Sequence, residues 1–159
     1  GIRVKYDHRD TYKPGWKFNE YELKGVPVRI AIGPKDLEKG TAEIARRDTL
    51  TKSYLPMEGL ASEVSAMLDV IQVELFERAK AHRDANIHSA NTWEEFTAAL
   101  DRGGFVSAHW DGSPETEDQI KDKTKATIRC IPLDNPLEEG QCILTGKPST
   151  QRVLFARAY

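Results

Sequence analysis

Cysteine is nearly missing from this sequence, with Cys130 and Cys142 its only two among 159 residues. Two such residues do not build the disulfide framework of a small secreted domain, so a reducing, cytoplasmic compartment is expected. Long apolar runs are missing as well. No stretch approaches the ~20 residues of a membrane span, and the N-terminus has no apolar signal core, which predicts a soluble protein with no membrane partner. There is no excess of basic charge either: 23 Lys and Arg stand against 25 Asp and Glu, a net charge of −2. The bulk field would steer little toward nucleic acid, so any such contact must be local and made by particular side chains. Internal repeats and low-complexity tracts are absent. Hydrophobic residues at 39% and charged residues at 30% exclude wholesale disorder and allow one good core or two small ones. The chain opens on Gly1 rather than Met and is expected to be a piece of something longer.

Residues 2–6 (Ile-Arg-Val-Lys-Tyr) alternate and predict a half-exposed strand. A polar loop through Asp7, His8, Arg9 and Asp10 ends in the breaker Pro14-Gly15. Residues 16–24 predict a short charged helix closed by Gly25, with Trp16 and Phe18 read as core. Val26, Val28, Ile30 and Ile32 then alternate in period two, which predicts a strand with Arg29 on its open face. Lys35 and Asp36 follow in a Gly-Pro-Lys-Asp turn. Residues 41–48 predict another strand, with Ala42 and Ile44 on one face, and residues 53–57 a short edge segment. Residues 60–86 predict a long helix, because Leu60, Val64, Leu68, Ile71, Leu75 and Ala79 step by three and four.

The pattern changes near residues 86–92, where a module boundary is placed. Thr92-Trp93-Glu94-Glu95 has the form of a capping box, opening a helix to Arg102 that Gly103-Gly104 stops. Residues 105–109 predict a strand, Ser113-Pro114 starts a further helix, and residues 126–132, 142–144 and 152–156 predict strands of a small sheet. Its expected core is Phe105, Ile120, Ile128, Ile131, Leu144, Val153 and Phe155, with Cys130 as a small buried residue.

The block at residues 15–37 resembles the anticodon-binding domain of class II prolyl-tRNA synthetase. The segments Thr124-Lys125-Ala126-Thr127-Ile128-Arg129-Cys130-Ile131-Pro132, Gly146-Lys147-Pro148 and Val153-Leu154-Phe155-Ala156-Arg157-Ala158-Tyr159 resemble the C-terminal extra domain of that family's archaeal and eukaryotic type. The resemblance implies an α/β and α+β chain. Residues 1–88 would be a mixed-sheet anticodon-binding domain with flanking helices, lacking its first strand and helix. Residues 89–159 would be a small α+β domain. It further implies a proline–tRNA ligase whose catalytic module, with its ATP and Mg, lies upstream, leaving no catalytic residue in this chain. Proline tRNA, the enzyme's own catalytic module and a second copy in a homodimer are the implied partners, and DNA is not one.

Reading a guanine in an unstacked loop needs acceptors for its Watson–Crick donors and cations for its acceptor edge. By family position, Glu22, Arg29, Lys35, Asp36 and Lys52 supply these. Ordinary readings stay open: Glu22 as a solvated helix acid, Arg29 and Lys35 as surface cations, Asp36 as a helix cap. Phe18 and Trp16 flank Lys17 and offer rings for stacking as the alternative to core. In the second module, the resemblance implies a site where many relatives hold a metal, read as zinc, with four cysteines, and the corresponding positions are Asp111, Thr116, Cys142 and Thr145. One thiolate among four does not make a tetrahedral zinc site, so a metal-free domain is expected. The resemblance also implies that the carboxylate of Tyr159 reaches toward the catalytic module. Competing readings are a free-standing tRNA-binding paralogue, a protein-interaction module, and, for the first module alone, a histidyl, threonyl or glycyl relative.

Overall fold

The computed structural model describes residues 1–158. The chain divides into two compact units, Gly1–Ala79 and the residues from Lys80 onward. Together they make a mixed α/β structure, and no helix among the described residues is long and apolar enough to cross a membrane.

The first unit contains α1 (Pro14–Leu23), β1 (Val28–Ala31), α2 (Pro34–Lys39), β2 (Thr41–Arg46), β3 (Lys52–Pro56) and the greater part of α3 (Leu60–Ala85). Pro14 stands at the first turn of α1, where its missing N–H costs nothing. The three strands pair antiparallel in the order β1-β2-β3. Register sorts their side chains. Ile30 lies opposite Ile44, Ala42 opposite Leu55, and Val28 opposite Arg46, all on one face. There Ala42 and Ile44 are buried, as are Val64 and Ile71 of α3, and Arg46 pairs with Glu74 of the same helix. The apolar stripe of α3 is thus buried in its first half, while Leu75 is exposed.

The expectations for residues 2–6 and for Trp16 fail. Residues 1–9 carry no regular secondary structure, and Val4 and Tyr6 are exposed. A period-two pattern yields a strand only where a neighbouring strand accepts its hydrogen bonds, and none of the described strands pairs with these residues. Trp16 is also not core. It is exposed and stacks on Tyr12, with ring centroids 4.0 Å apart, while Arg9 covers both rings at 5.4 and 5.0 Å. Arg9 also binds Asp7 at 2.7 Å and Glu20 at 2.5 Å, tying the polar loop to α1. The Arg9 guanidinium holds the Asp7 carboxyl well below the usual carboxylate range.

The second unit contains β4 (Ile87–Ser89), α4 (Trp93–Arg102), β5 (Phe105–His109), α5 (Pro114–Thr124), β6 (Ala126–Cys130), β7 (Gly140–Gln141), β8 (Pro148–Ser149) and β9 (Arg152–Arg157). A mixed sheet runs β4-β5-β9-β6, with β4 and β5 parallel and the other pairs antiparallel. The capping box forms as the motif requires: Thr92 Oγ1 accepts from the Glu95 N–H at 3.2 Å, and Glu95 accepts from the Asn91 and Thr92 N–H groups. Gly104 is left-handed, and a Cβ there would fall 2.4 Å from the Asn86 carbonyl oxygen.

Phe96, Leu100, Val106, Ala108, Ile120, Ile143, Val153 and Phe155 make the core, with Phe96 and Phe155 edge to face at 5.1 Å. Ile128 and Leu144 pack at its border, but Phe105 and Ile131 are exposed. Cys130 is exposed as well. The pairing of β6 with β9 slips between Ile128 and Cys130, and such a slip redirects the following side chains away from the core. Residues 142–144 form a turn between β7 and β8 rather than a strand.

Candidate nucleic-acid interface

The face of the first sheet opposite Ala42 and Ile44 carries Arg29, Glu43, Ala45, Lys52 and Tyr54. Ala45 lies opposite Arg29 on one side and Lys52 on the other, and Glu43 lies opposite Ala31 and Tyr54. Since Ala45 is only a methyl, the two cations flank a gap, and Glu43, one step along the same face, reaches both. Arg29 Nη1 donates to Glu43 Oε1 at 3.1 Å, and Lys52 Nζ lies 3.4 Å from the same carboxylate. Burial pushes the Glu43 carboxyl up, but Arg29 and then Lys52 outweigh it, and the net shift is downward. The carboxylate is therefore ionised at neutral pH.

Helix α1 closes one end of this face. The Arg29 guanidinium lies 3.6 Å from the Phe18 ring centroid, and Arg47 Nε donates to the Glu22 carbonyl at 2.8 Å. The Arg29 side chain is only 15% exposed, and its Nε is buried without a partner among the described residues. The expected open, solvated Arg29 is corrected by this: Phe18 of α1 covers the guanidinium, and the cation is stacked and ion-paired, while Lys52 and Tyr54 on the same face are exposed. Phe18 is half-buried beneath it, neither core nor free.

The other expected contact residues separate into two places. The exposed Glu22 lines a shallow cavity together with Phe18, Arg29, Ala45 and Arg47. Lys35 and Asp36 sit on α2, past the far end of β1. Lys35 is exposed, whereas Asp36 Oδ2 accepts the Gly33 N–H at 2.8 Å and caps that helix. No hydrogen bond or ion pair among the described residues joins Lys35 or Asp36 to Arg29. Arg29 and Lys52 are brought together, and Glu43 is the group that joins them. Sequence reasoning passed Glu43 over, although the alternation of Ala42 and Ile44 already placed Glu43 and Ala45 on the opposite face.

In the second unit, three of the four expected metal-ligand positions do converge. The hydroxyls of Thr116 and Thr145 donate to Asp111 Oδ2 at 3.0 and 2.9 Å, and the Ser113 N–H donates to Oδ1 at 3.2 Å. Ser113 Oγ adds a bond to Thr116 Oγ1 at 3.0 Å. Cys142 is buried. A carboxylate whose oxygens are taken up by hydroxyls and an amide, with one thiol nearby in sequence position, is not a zinc donor set. Among the described residues no group of three or more His, Cys, Asp or Glu is arranged to hold a metal ion. Tyr159, expected to direct its carboxylate elsewhere, lies outside the described residues.

The sheet face thus carries a cation stacked on a ring, a second cation and a carboxylate that pairs with both. Residues 1–67 match the family described as "Anticodon binding domain". Residues 93–159 match the one described as "Prolyl-tRNA synthetase, C-terminal". Among curated proteins, the chain is 55% identical over 160 residues to a proline–tRNA ligase of Christiangramia forsetii, covering 100% of this chain and 32% of the relative. It is 57% identical to one of Porphyromonas gingivalis and 60% identical to one of Flavobacterium psychrophilum, again over 32% of each relative. The chain thus spans about a third of the length of the curated relatives it matches. Its first part is similar to an anticodon-binding domain and its second to the C-terminal domain of prolyl-tRNA synthetase.

Proposed function

We propose that this chain is the tRNA-recognition part of a proline–tRNA ligase. The parent enzyme joins proline to the 3′ end of its tRNA through a prolyl-adenylate, with ATP and Mg bound in a catalytic module outside this chain. On this reading the enzyme is cytoplasmic and homodimeric, the chain contributes no catalytic residue, and it buttresses the active site while selecting the tRNA. Glu22, Arg29, Lys35, Asp36 and Lys52 contact the anticodon, whose second and third bases are guanines in proline tRNAs.

The observation that carries this reading is the Arg29–Phe18 stack beside Lys52 on a face that the anticodon-binding family match includes. A cation held flat on a ring is pre-oriented, so little side-chain entropy is lost when it meets a base. With a net charge of −2, affinity must come from such local contacts rather than from a basic field. The test compares binding of the chain to a proline-tRNA transcript and to one with adenine at the second anticodon position. Wild type should prefer the guanine form by about 1–3 kcal/mol, the worth of a bidentate base contact. Arg29→Ala should lose most of that preference. Equal binding of both transcripts by wild type refutes the reading.

A further inference from the structure

Arg29 and Lys52 stand on neighbouring strands with only the Ala45 methyl between them. Left alone, two such cations would bind any phosphate, and phosphate contacts carry no sequence information. They are not alone. Glu43 takes both at 3.1 and 3.4 Å, its side chain is 18% exposed, and its oxygens keep acceptor sites beyond those two contacts. Asp36 accepts the N–H of Gly33 through Oδ2, and Glu22 lines the cavity beside Arg29 from the exposed surface of α1.

A carboxylate between two cations has the polarity of one base edge. Guanine offers donors at N1–H and N2–H2 and acceptors at O6 and N7, so it meets the acceptor and the donors together. Adenine places an unprotonated N1 where guanine has a donor, and would face the carboxylate with a lone pair. We propose that Glu43 is a further specificity-determining residue of this surface, accepting the N1–H and N2–H2 of an anticodon guanine while holding Arg29 and Lys52 toward its acceptor edge. The same charge suppresses indiscriminate phosphate binding, because it neutralises one of the two cations when no base is present. The inference rests on the anticodon-reading function proposed above and names a further group that carries its selectivity.

The test uses anticodon stem-loops with guanine, inosine or adenine at the second anticodon position, titrated with the full chain by fluorescence anisotropy at two salt concentrations. Inosine lacks only the N2 amino group. Wild type should bind the inosine loop about tenfold more weakly, the worth of one hydrogen bond to a charged acceptor. Glu43→Gln should bind the guanine and inosine loops within about twofold of each other and show a steeper salt dependence, since a cation is released for phosphate. Glu43→Asp keeps the charge but withdraws it by one methylene, and should give an intermediate inosine penalty; it decides the matter if the Gln variant fails to fold by circular dichroism. A Glu43→Gln protein that keeps the full inosine penalty and salt slope, beside a wild type that prefers guanine to adenine, overturns the role of Glu43 alone. A wild type indifferent to all three loops overturns the anticodon reading with it.

Discussion

Replacing Arg29 by alanine should destabilise the β1–β2 pairing by about 0.5–2.5 kcal/mol, where a solvent-face change typically stays within ~0.5 kcal/mol. The estimate follows from what the side chain touches. A cation stacked on Phe18 at 3.6 Å and largely screened from water contributes between ~0.5 and ~2 kcal/mol. The bond to Glu43 adds about 0–1 kcal/mol, since Lys52 remains to pair with the carboxylate. Removing the orphaned Nε gives some of this back, because a buried donor without a partner is itself costly. Arg29→Met separates the contributions: it leaves apolar cover on the Phe18 ring but no charge, and should cost less than the alanine change. The two-unit chain is not expected to unfold in a single step, so the readout is native-state hydrogen exchange at the amides of β1 and β2, which reports opening of that pairing alone. If both variants exchange within ~0.5 kcal/mol of wild type, Arg29 is an ordinary solvated cation and the stack contributes nothing.

Asp111 organises the second unit's polar cluster. Burial pushes its carboxyl up, but the Ser113 amide and the Thr145 and Thr116 hydroxyls outweigh burial and hold it below its ordinary value. A carboxyl lowered on folding stabilises the fold above its unfolded pKa of ~3.9 and loses that contribution as pH falls through the native value. Asp111→Asn should therefore flatten the acid limb of a stability–pH curve followed by hydrogen exchange in β5 and α5; an unchanged limb refutes the assignment. At Gly140 a Cβ would lie 2.3 Å from Nε2 of the buried His109. Gly140→Ala should displace that ring from Ser149 Oγ, now 3.2 Å from Nδ1, and cost about 1–3 kcal/mol as overpacking does. Unshifted His109 ring resonances in NMR would show that the site yields freely.

Elements whose signals are local were legible in the sequence. The stripe of α3, the Thr92–Glu95 capping box and the Gly103-Gly104 stop need only residues within a few turns, and each forms where its pattern lies. Asp36 as a helix cap is also a local matter, visible in the Gly-Pro-Lys-Asp spacing. The alternating segment at residues 2–6 shows the opposite case. Its pattern is as regular as that of β2, yet it forms no strand, because pairing is a property of two segments and not of one.

The period-two alternation around Arg29 assigned that residue correctly to the face opposite Val28 and Ile30, and the sequence by itself determined as much. It did not determine that a ring covers the guanidinium. Whether Arg29 meets water or the Phe18 ring depends on where α1 lies against the sheet, and whether Glu43 joins Arg29 to Lys52 depends on strand register across β1, β2 and β3. The convergence of Asp111, Thr116 and Thr145 over 34 residues of chain is likewise a product of folding. Composition and periodicity act through a residue's near neighbours, so they decide which element forms and which side faces in. Ion pairs, stacks and polar clusters between elements depend on distances of a few ångströms set by packing, and only the tertiary structure decided those.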